Sequence, residues 1–309
     1  MKIYLPTPEY RTYFNQHTTL NLTFVDAKSE AEVIISGRFS REDFQPKLKA
    51  VIVPYTGLDH IDLALIKAES IPLFNTTEHS KFVAEKALQL LLALLGNVVN
   101  FHNALSHGDW SERINKDRKP WVSLFNRKIG IYGYGRIGRI FKDIVAPFTK
   151  DITVIDRGKD YPGVTAVKDL ETLIAKSEIV VIAAPLTCTT RGSFNQTILN
   201  QMQDKYLINV GRGPIIEEEA LFYALKNQVL KGFASDVWYQ YHSQKQPIIP
   251  PSKYPLELFD NVVLSPHCGG YTTEFNALMV AKLLDYVEAI AKGDYSEALM
   301  NGGDNENLL

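Results

Sequence analysis

Two side chains in this sequence stand out as able to hold an anion and move a proton. Arg212 sits in Asn209-Val-Gly-Arg-Gly213, at the end of an apolar run, where a guanidinium can grip a carboxylate through two parallel hydrogen bonds. His267 sits in Ser265-Pro-His-Cys-Gly-Gly270, closing another apolar run, and imidazole is the usual side chain for proton transfer near neutral pH. Taken singly, each has an ordinary structural reading: a surface arginine in a glycine turn, and a loop histidine. Together at one sheet edge they point to function, because open α/β sheets bind ligands beyond the carboxyl ends of their strands.

A third feature calls for a cofactor. Lys128-Ile-Gly-Ile-Tyr132 followed by Gly133-Tyr134-Gly135-Arg136-Ile137-Gly138 reads as a strand, a G-x-G-x-x-G turn and a helix. Gly133 permits the tight turn, Gly135 lets the backbone approach a pyrophosphate, and Gly138 lets helix and strand pack closely. The N–H groups of the new helix then face the anion. Asp156 ends the next apolar run, where a carboxylate accepts hydrogen bonds from an adenosine ribose. Such an acid repels a 2′-phosphate, so NAD is favoured over NADP. The adjacent Arg157, able to pair with a phosphate, weakens that preference.

These residues need a scaffold of strands. Short apolar runs, several of them rich in Val and Ile, occur at residues 3–5, 32–36, 50–54, 72–75, 128–132, 151–156, 179–183, 206–210, 231–235 and 261–265. Several lack polar alternation, as expected of strands covered on both faces. Helical patterns between them, such as 138–145 and 217–227, predict parallel, doubly wound α/β sheets. One long helix is expected from Phe82 to about Gly108, followed by a polar and aromatic loop over 109–127, and a last helix over 273–292. The expected division is residues 1–96 with 274–309 as a substrate domain and 97–273 as a dinucleotide-binding domain.

Composition narrows the partners. With 33 Lys and Arg against 35 Asp and Glu, the net charge of −2 provides no global field for nucleic acid. The run 82–99 contains Glu85, Lys86, Gln89 and Asn97, so it fits a buried helix and no membrane partner is expected. Cys188 and Cys268 stand far apart, which excludes a disulfide framework, makes a metal cage unexpected and suggests a reducing cytoplasm.

The ordered motifs Thr56-Gly-Leu-Asp-His-Ile61, Val83-Ala-Glu85, the glycine turn, Pro185-Leu-Thr187, Asn209-Val-Gly-Arg-Gly213, Asp236-Val237 and Ser265-Pro-His267 resemble the D-isomer-specific 2-hydroxyacid dehydrogenases, a family that includes formate and phosphoglycerate dehydrogenases. The resemblance implies a Rossmann dinucleotide-binding domain inserted in a flavodoxin-like substrate domain, and an NAD-dependent oxidoreductase acting on a small 2-hydroxy or 2-keto acid. By resemblance, Arg212 grips the substrate carboxylate and carbonyl, and His267 is the general acid and base. Asp236 bonds the nicotinamide amide, while Pro185, Thr187 and Val210 line the cofactor site. Tyr55, Thr56 and Gly57 present backbone N–H groups to the substrate, and His79 falls where relatives place a substrate-facing Asn. A homodimer through the region of Trp110 and Trp121 is also implied. Two other activities are compatible with this frame: an NAD(H)-sensing regulatory protein with little turnover, and oxidation of another small anion such as formate.

One position departs from the family pattern. Relatives usually carry a Glu five residues after the Asp matched by Asp236, and there it orients the catalytic His. Here position 241 is Tyr, which is counted with Arg212 and His267 among the candidate catalytic residues. A phenol lacks the charge with which a carboxylate steadies an imidazolium. Three alternatives follow: Tyr241 contacts His267, Glu257 or another acid of the insertion 241–258 replaces the charge, or Tyr241 packs with Trp238, Tyr239 and Tyr254. The insertion, with Pro247, Pro250, Pro251 and Pro255, is expected to run extended. Cys268 is read as a space-filling neighbour of His267, since hydride transfer needs no thiol.

Overall fold

The computed structural model describes residues 1–58, 60–114, 120–158 and 161–299. The chain forms two compact units, Met1–Ser80 with the chain from Tyr271 onward, and Lys81–Gly270.

The first unit is built on five parallel strands: β1 (Lys2–Tyr4), β2 (Thr23–Val25), β3 (Val33–Ile35), β4 (Ala50–Val53) and β5 (Leu73–Asn75). Their order, β2-β1-β3-β4-β5, is that of a flavodoxin-like sheet. All four residues of β4 are buried, and they alternate between two cores. Ala50 and Ile52 face Phe14 and Phe74, while Val51 and Val53 face Phe39 and Ile66. That is the period of two expected of a strand covered on both sides. The closing helix Phe275–Ala291 carries Met279, Val280, Leu283, Leu284, Val287 and Ile290 at helical spacing. Those side chains enter the core of Phe14 and Phe74, so this helix belongs to the unit that holds β1.

The second unit holds seven parallel strands: β6 (Ile129–Tyr132), β7 (Ile152–Ile155), β8 (Thr165–Val167), β9 (Ile179–Ile182), β10 (Lys205–Asn209), β11 (Leu230–Ser235) and β12 (Val262–Leu264). The order β12-β11-β10-β9-β6-β7-β8 is the Rossmann order with one added strand. Strand β9 is buried throughout, with Ile179 and Val181 on one core and Val180 and Ile182 on the other. Each such side chain contributes about 1.5–3 kcal/mol by leaving water.

Three expectations need correction. Strands β2 and β8 were not expected; each is a three-residue sheet edge, too short to show a period. The single long helix is two, Ser80–Leu95 and Val98–Ser106, meeting at 59°. The break falls at Gly96-Asn97, where Asn97 takes a left-handed backbone (φ +51°). The first of these helices also belongs to the second unit. Ala84, Ala87, Leu90, Leu91 and Leu95 pack with Ile129, Ile131, Val154 and Val181, so the units divide at Ser80/Lys81 and Gly270/Tyr271, before the expected positions.

Among the described residues no single helix is long and apolar enough to cross a membrane. Residues 241–258 contain one 3₁₀ turn, Leu256–Leu258, and are tied down by Pro251, whose carbonyl accepts from the N–H groups of Tyr239 and Gln240. The tail 302–309 and the loop positions 115–119 lie outside the described residues.

Candidate active site

The glycine turn lies between β6 and the helix Arg136–Val145, beside the point where the strand order reverses between β6 and β9. Gly133 has φ +102°, and a Cβ there would stand 2.3 Å from the backbone nitrogen of Ala184. A Cβ on Gly138 would stand 2.4 Å from the carbonyl oxygen of Gly133, so the helix meets the turn at its closest approach there. At Gly135 a Cβ would meet nothing within 4 Å. Gly135 is also the extended N-cap of the helix and offers no side-chain cap. A bare backbone face and an uncapped helix N-terminus fit a pyrophosphate.

Asp156 stands exposed just beyond β7, its Oδ1 accepting from the Gly158 N–H at 2.8 Å. Arg157 beside it is exposed, and its N–H donates to the Tyr161 hydroxyl at 2.7 Å. Tyr134 leaves the turn to pack near Tyr161 and beneath the Arg139 guanidinium, and burial pushes its phenol up. Beyond β9, Pro185 and Thr187 belong to a loop closed by the Thr190 hydroxyl, which accepts from the Thr187 N–H and donates to the Pro185 carbonyl. Val210 is 5% exposed and sits in the core below this edge.

The loops after β10, β11 and β12 carry Arg212, Asp236 and His267. These strands are neighbours, so the loops start within about 10 Å of one another. They also interlock. A Cβ on Gly213 would stand 2.3 Å from the Trp238 carbonyl oxygen, so the arginine loop lies directly on the next one. The Trp238 indole N–H donates to the Ser265 carbonyl at 2.7 Å, joining the second loop to the third. Arg212 is half-buried and donates from Nη1 to the Gly211 carbonyl, while its own carbonyl accepts from the Asn209 amide.

Asp236 is 3% exposed and organises the histidine loop. Its Oδ1 accepts from the Ser265 hydroxyl at 2.5 Å and the Cys268 N–H at 3.0 Å, and its Oδ2 accepts from the Gly269 N–H at 2.7 Å. Two carboxylate oxygens offer about four acceptor positions, and these bonds fill three of them. Between these anchors His267 is exposed and holds φ +56°, a left-handed conformation uncommon for residues with a Cβ. Cys268 lies with its Sγ 3.4 Å from the Ser265 hydroxyl.

Of the three alternatives for position 241, the contact with His267 is present, and so is the Trp238 part of the third, because the Tyr241 hydroxyl accepts from the Trp238 N–H at 2.9 Å. The Tyr241 and His267 rings lie 5.2 Å apart between centroids at 50°. Tyr239 and Tyr254 go elsewhere, the first donating to the Ile216 carbonyl and the second stacking on Phe222 at 4.8 Å. Glu257 is exposed and forms no ion pair with His267 among the described residues.

In the first unit, Tyr55, Thr56 and Gly57 follow β4. The Thr56 carbonyl accepts from the Asn75 side chain at 3.0 Å, tying this loop to the end of β5. The Tyr55 hydroxyl lies where a Cβ on Gly37 would be, so that glycine makes room for the phenol. His79 is half-buried, edge-on to Phe275 at 5.5 Å.

Lys86 was not among the expected site residues. A Cβ on Gly269 would stand 3.4 Å from the Lys86 stem and 2.8 Å from Asp236 Oδ2, so this lysine runs beside the histidine loop and its buried carboxylate. Among the described residues its ammonium forms no ion pair. The signal was its spacing: with Val83 and Leu90, Lys86 falls on the inward stripe of its helix.

The family model for the D-isomer specific 2-hydroxyacid dehydrogenase NAD binding domain matches residues 88–269. A glyoxylate reductase of Thermofilum pendens is 32% identical over 91% of this chain and 80% of its own length. Formate dehydrogenase 2 of Oryza sativa is 29% identical over 80% of this chain, which spans 65% of that protein. Among solved structures, an NAD-dependent formate dehydrogenase of Staphylococcus aureus in complex with NAD is 26% identical, with a TM-score of 0.73 over 99% of this chain and 98% of that one. A glyoxylate/hydroxypyruvate reductase of Sinorhizobium meliloti shares the fold at 24% identity, with a TM-score of 0.81 over 100% and 99% of the two chains. Family model, relatives, Rossmann order and glycine turn agree: the chain belongs to the D-isomer specific 2-hydroxyacid dehydrogenase family and is an NAD-dependent oxidoreductase.

Proposed function

We propose that this enzyme interconverts a small 2-keto acid and its 2-hydroxy acid, with Arg212 and His267 as the groups that touch substrate. The interlocked loops after β10, β11 and β12 carry the reading, because they fix a guanidinium and an imidazole at one edge of the cofactor-binding sheet. The Arg212 guanidinium pairs with the substrate carboxylate and polarises the C2 carbonyl. NADH, when bound, supplies the hydride that C2 receives, and NAD accepts it in the reverse direction. The His267 imidazolium gives its proton to the C2 oxygen during reduction and takes it back during oxidation. The Gly133–Gly138 turn, Asp156 and the Pro185 and Thr187 loop hold the dinucleotide, and the remaining acceptor of Asp236 receives the carboxamide. In the first unit, Tyr55, Thr56, Gly57 and His79 are the proposed substrate-facing groups.

The test is NADH and NADPH oxidation with glyoxylate, pyruvate, hydroxypyruvate and phenylpyruvate, and NAD reduction with formate. Reduction of at least one keto acid, abolished in His267→Gln and Arg212→Gln, is the expected result. NADH binding with no keto acid reduced would replace this reading with that of a nucleotide sensor. Formate oxidation alone would replace the substrate class.

The expected homodimer is likewise a proposal. It is supported by an apolar groove of about 230 Å³ lined by Leu92, Leu95, Trp121, Phe125 and Phe148, close in sequence to the exposed Trp110 and Ile114.

A further inference from the structure

We infer that Tyr241 serves the reaction through its aromatic ring, as a positioning residue that holds the His267 imidazole where relatives use a carboxylate. The inference rests on the reading of His267 as the proton carrier. Three contacts support it. The Tyr241 ring lies 5.2 Å from the imidazole, centroid to centroid, tilted by 50°. The Tyr241 hydroxyl oxygen accepts from the backbone N–H of Trp238 at 2.9 Å, which pins the far end of the phenol to its own segment. Trp238 in turn holds the Ser265 carbonyl through its indole N–H, so one residue fixes both the shelf and the root of the histidine loop.

This arrangement differs chemically from a carboxylate partner. A phenol at neutral pH keeps its proton and provides no full negative charge to the imidazolium. Its ring provides a face of negative potential within about 6 Å, which attracts a cation more weakly and without accepting a proton. It also narrows the orientations open to a side chain whose backbone is already left-handed. Tyr241 is half-exposed.

The experiment compares the parent with Tyr241→Phe and Tyr241→Leu by two readouts. The first is the NMR shift of the His267 Cε1–H, assigned by its loss in His267→Gln. The second is kcat and KM for glyoxylate and pyruvate. Expected for Phe is a retained ring-current displacement and kcat within about 3-fold, and for Leu a lost displacement with kcat down about 5- to 10-fold. The NADH KM should stay constant in both. If Phe falls as far as Leu while it keeps the ring-current displacement, the hydroxyl carries the role and the inference is overturned. It is equally overturned if Leu matches the parent, or if the displacement is absent in the parent. A parent that reduces neither acid counts against the proposed function, while the NMR comparison still decides the ring contact.

Discussion

Replacing Asp236 by alanine should open the histidine loop without unfolding the sheet beneath it. The carboxylate is 3% exposed and accepts three hydrogen bonds, from the Ser265 hydroxyl and from the N–H groups of Cys268 and Gly269. Hydrogen bonds to a charged group are worth about 1.5–3 kcal/mol each, and a buried donor left unsatisfied costs about 1–3 kcal/mol. The Ser265 hydroxyl can rotate to a new acceptor, so the loss falls on the two backbone donors, about 3 kcal/mol in total. His267 is exposed, so the loop can relax toward water by a local opening. A loss of 3 kcal/mol in that opening corresponds to about a 10²-fold drop in hydrogen-exchange protection. The assay is exchange of a peptide covering residues 262–270, read beside keto-acid turnover. Displacing His267 by about 1 Å should lower kcat/KM by about 10²-fold. Asp236→Asn keeps one acceptor and should fall between parent and alanine. Turnover lost while the Cys268 and Gly269 amides keep parental protection would refute the clamp, leaving Asp236 as a ligand contact only.

Three further outcomes follow from the same structure. Gly135→Ala meets no atom within 4 Å and should leave unfolding unchanged while weakening NADH binding at least 10-fold, as measured by fluorescence titration; Gly133→Ala, whose Cβ would collide with Ala184, should instead destabilise the second unit by about 1–3 kcal/mol. Glu178 is pushed up by partial burial, but the Lys128 N–H and the Arg127 guanidinium outweigh this and hold its carboxyl below the ordinary range. Its contribution is therefore present above the unfolded carboxylate value of about 4.3 and lost as pH falls through the lower folded value, so Glu178→Gln should flatten the acid limb of thermal unfolding slightly, by under about 1 kcal/mol for so exposed a pair. Trp121→Asp should shift sedimentation from dimer to monomer with the folded spectrum retained, and a parent that sediments as a monomer would end the dimer proposal.

What the sequence made legible and what it hid divide along a physical line. Strand β9 could be read because Ile179, Val180, Val181 and Ile182 are all apolar and feed two cores, a local property of four adjacent residues. The glycine turn could be read because its three glycines stand at fixed spacing between a strand pattern and a helix pattern, although the Ala184 backbone that Gly133 makes room for comes beside it only in the fold. Strands β2 and β8 could not, since three partly exposed edge residues leave no period. The break at Asn97 was hidden for another reason: apolar residues continue through it, and only the left-handed backbone of one asparagine turns the helix. At the site, residue types were legible but their partners were not. Asp236 reads as a ligand contact from its motif, yet it faces donors about thirty positions away that come beside it only when β11 pairs with β12. Lys86 reads as a charge in a greasy helix, and only packing sets its stem against Gly269. Tyr241 reads as a missing carboxylate, and only the fold shows that a ring has taken the place beside His267. In each case the chemistry depends on a contact between segments far apart in the chain, and the fold brings those segments together where local sequence carries no record of it.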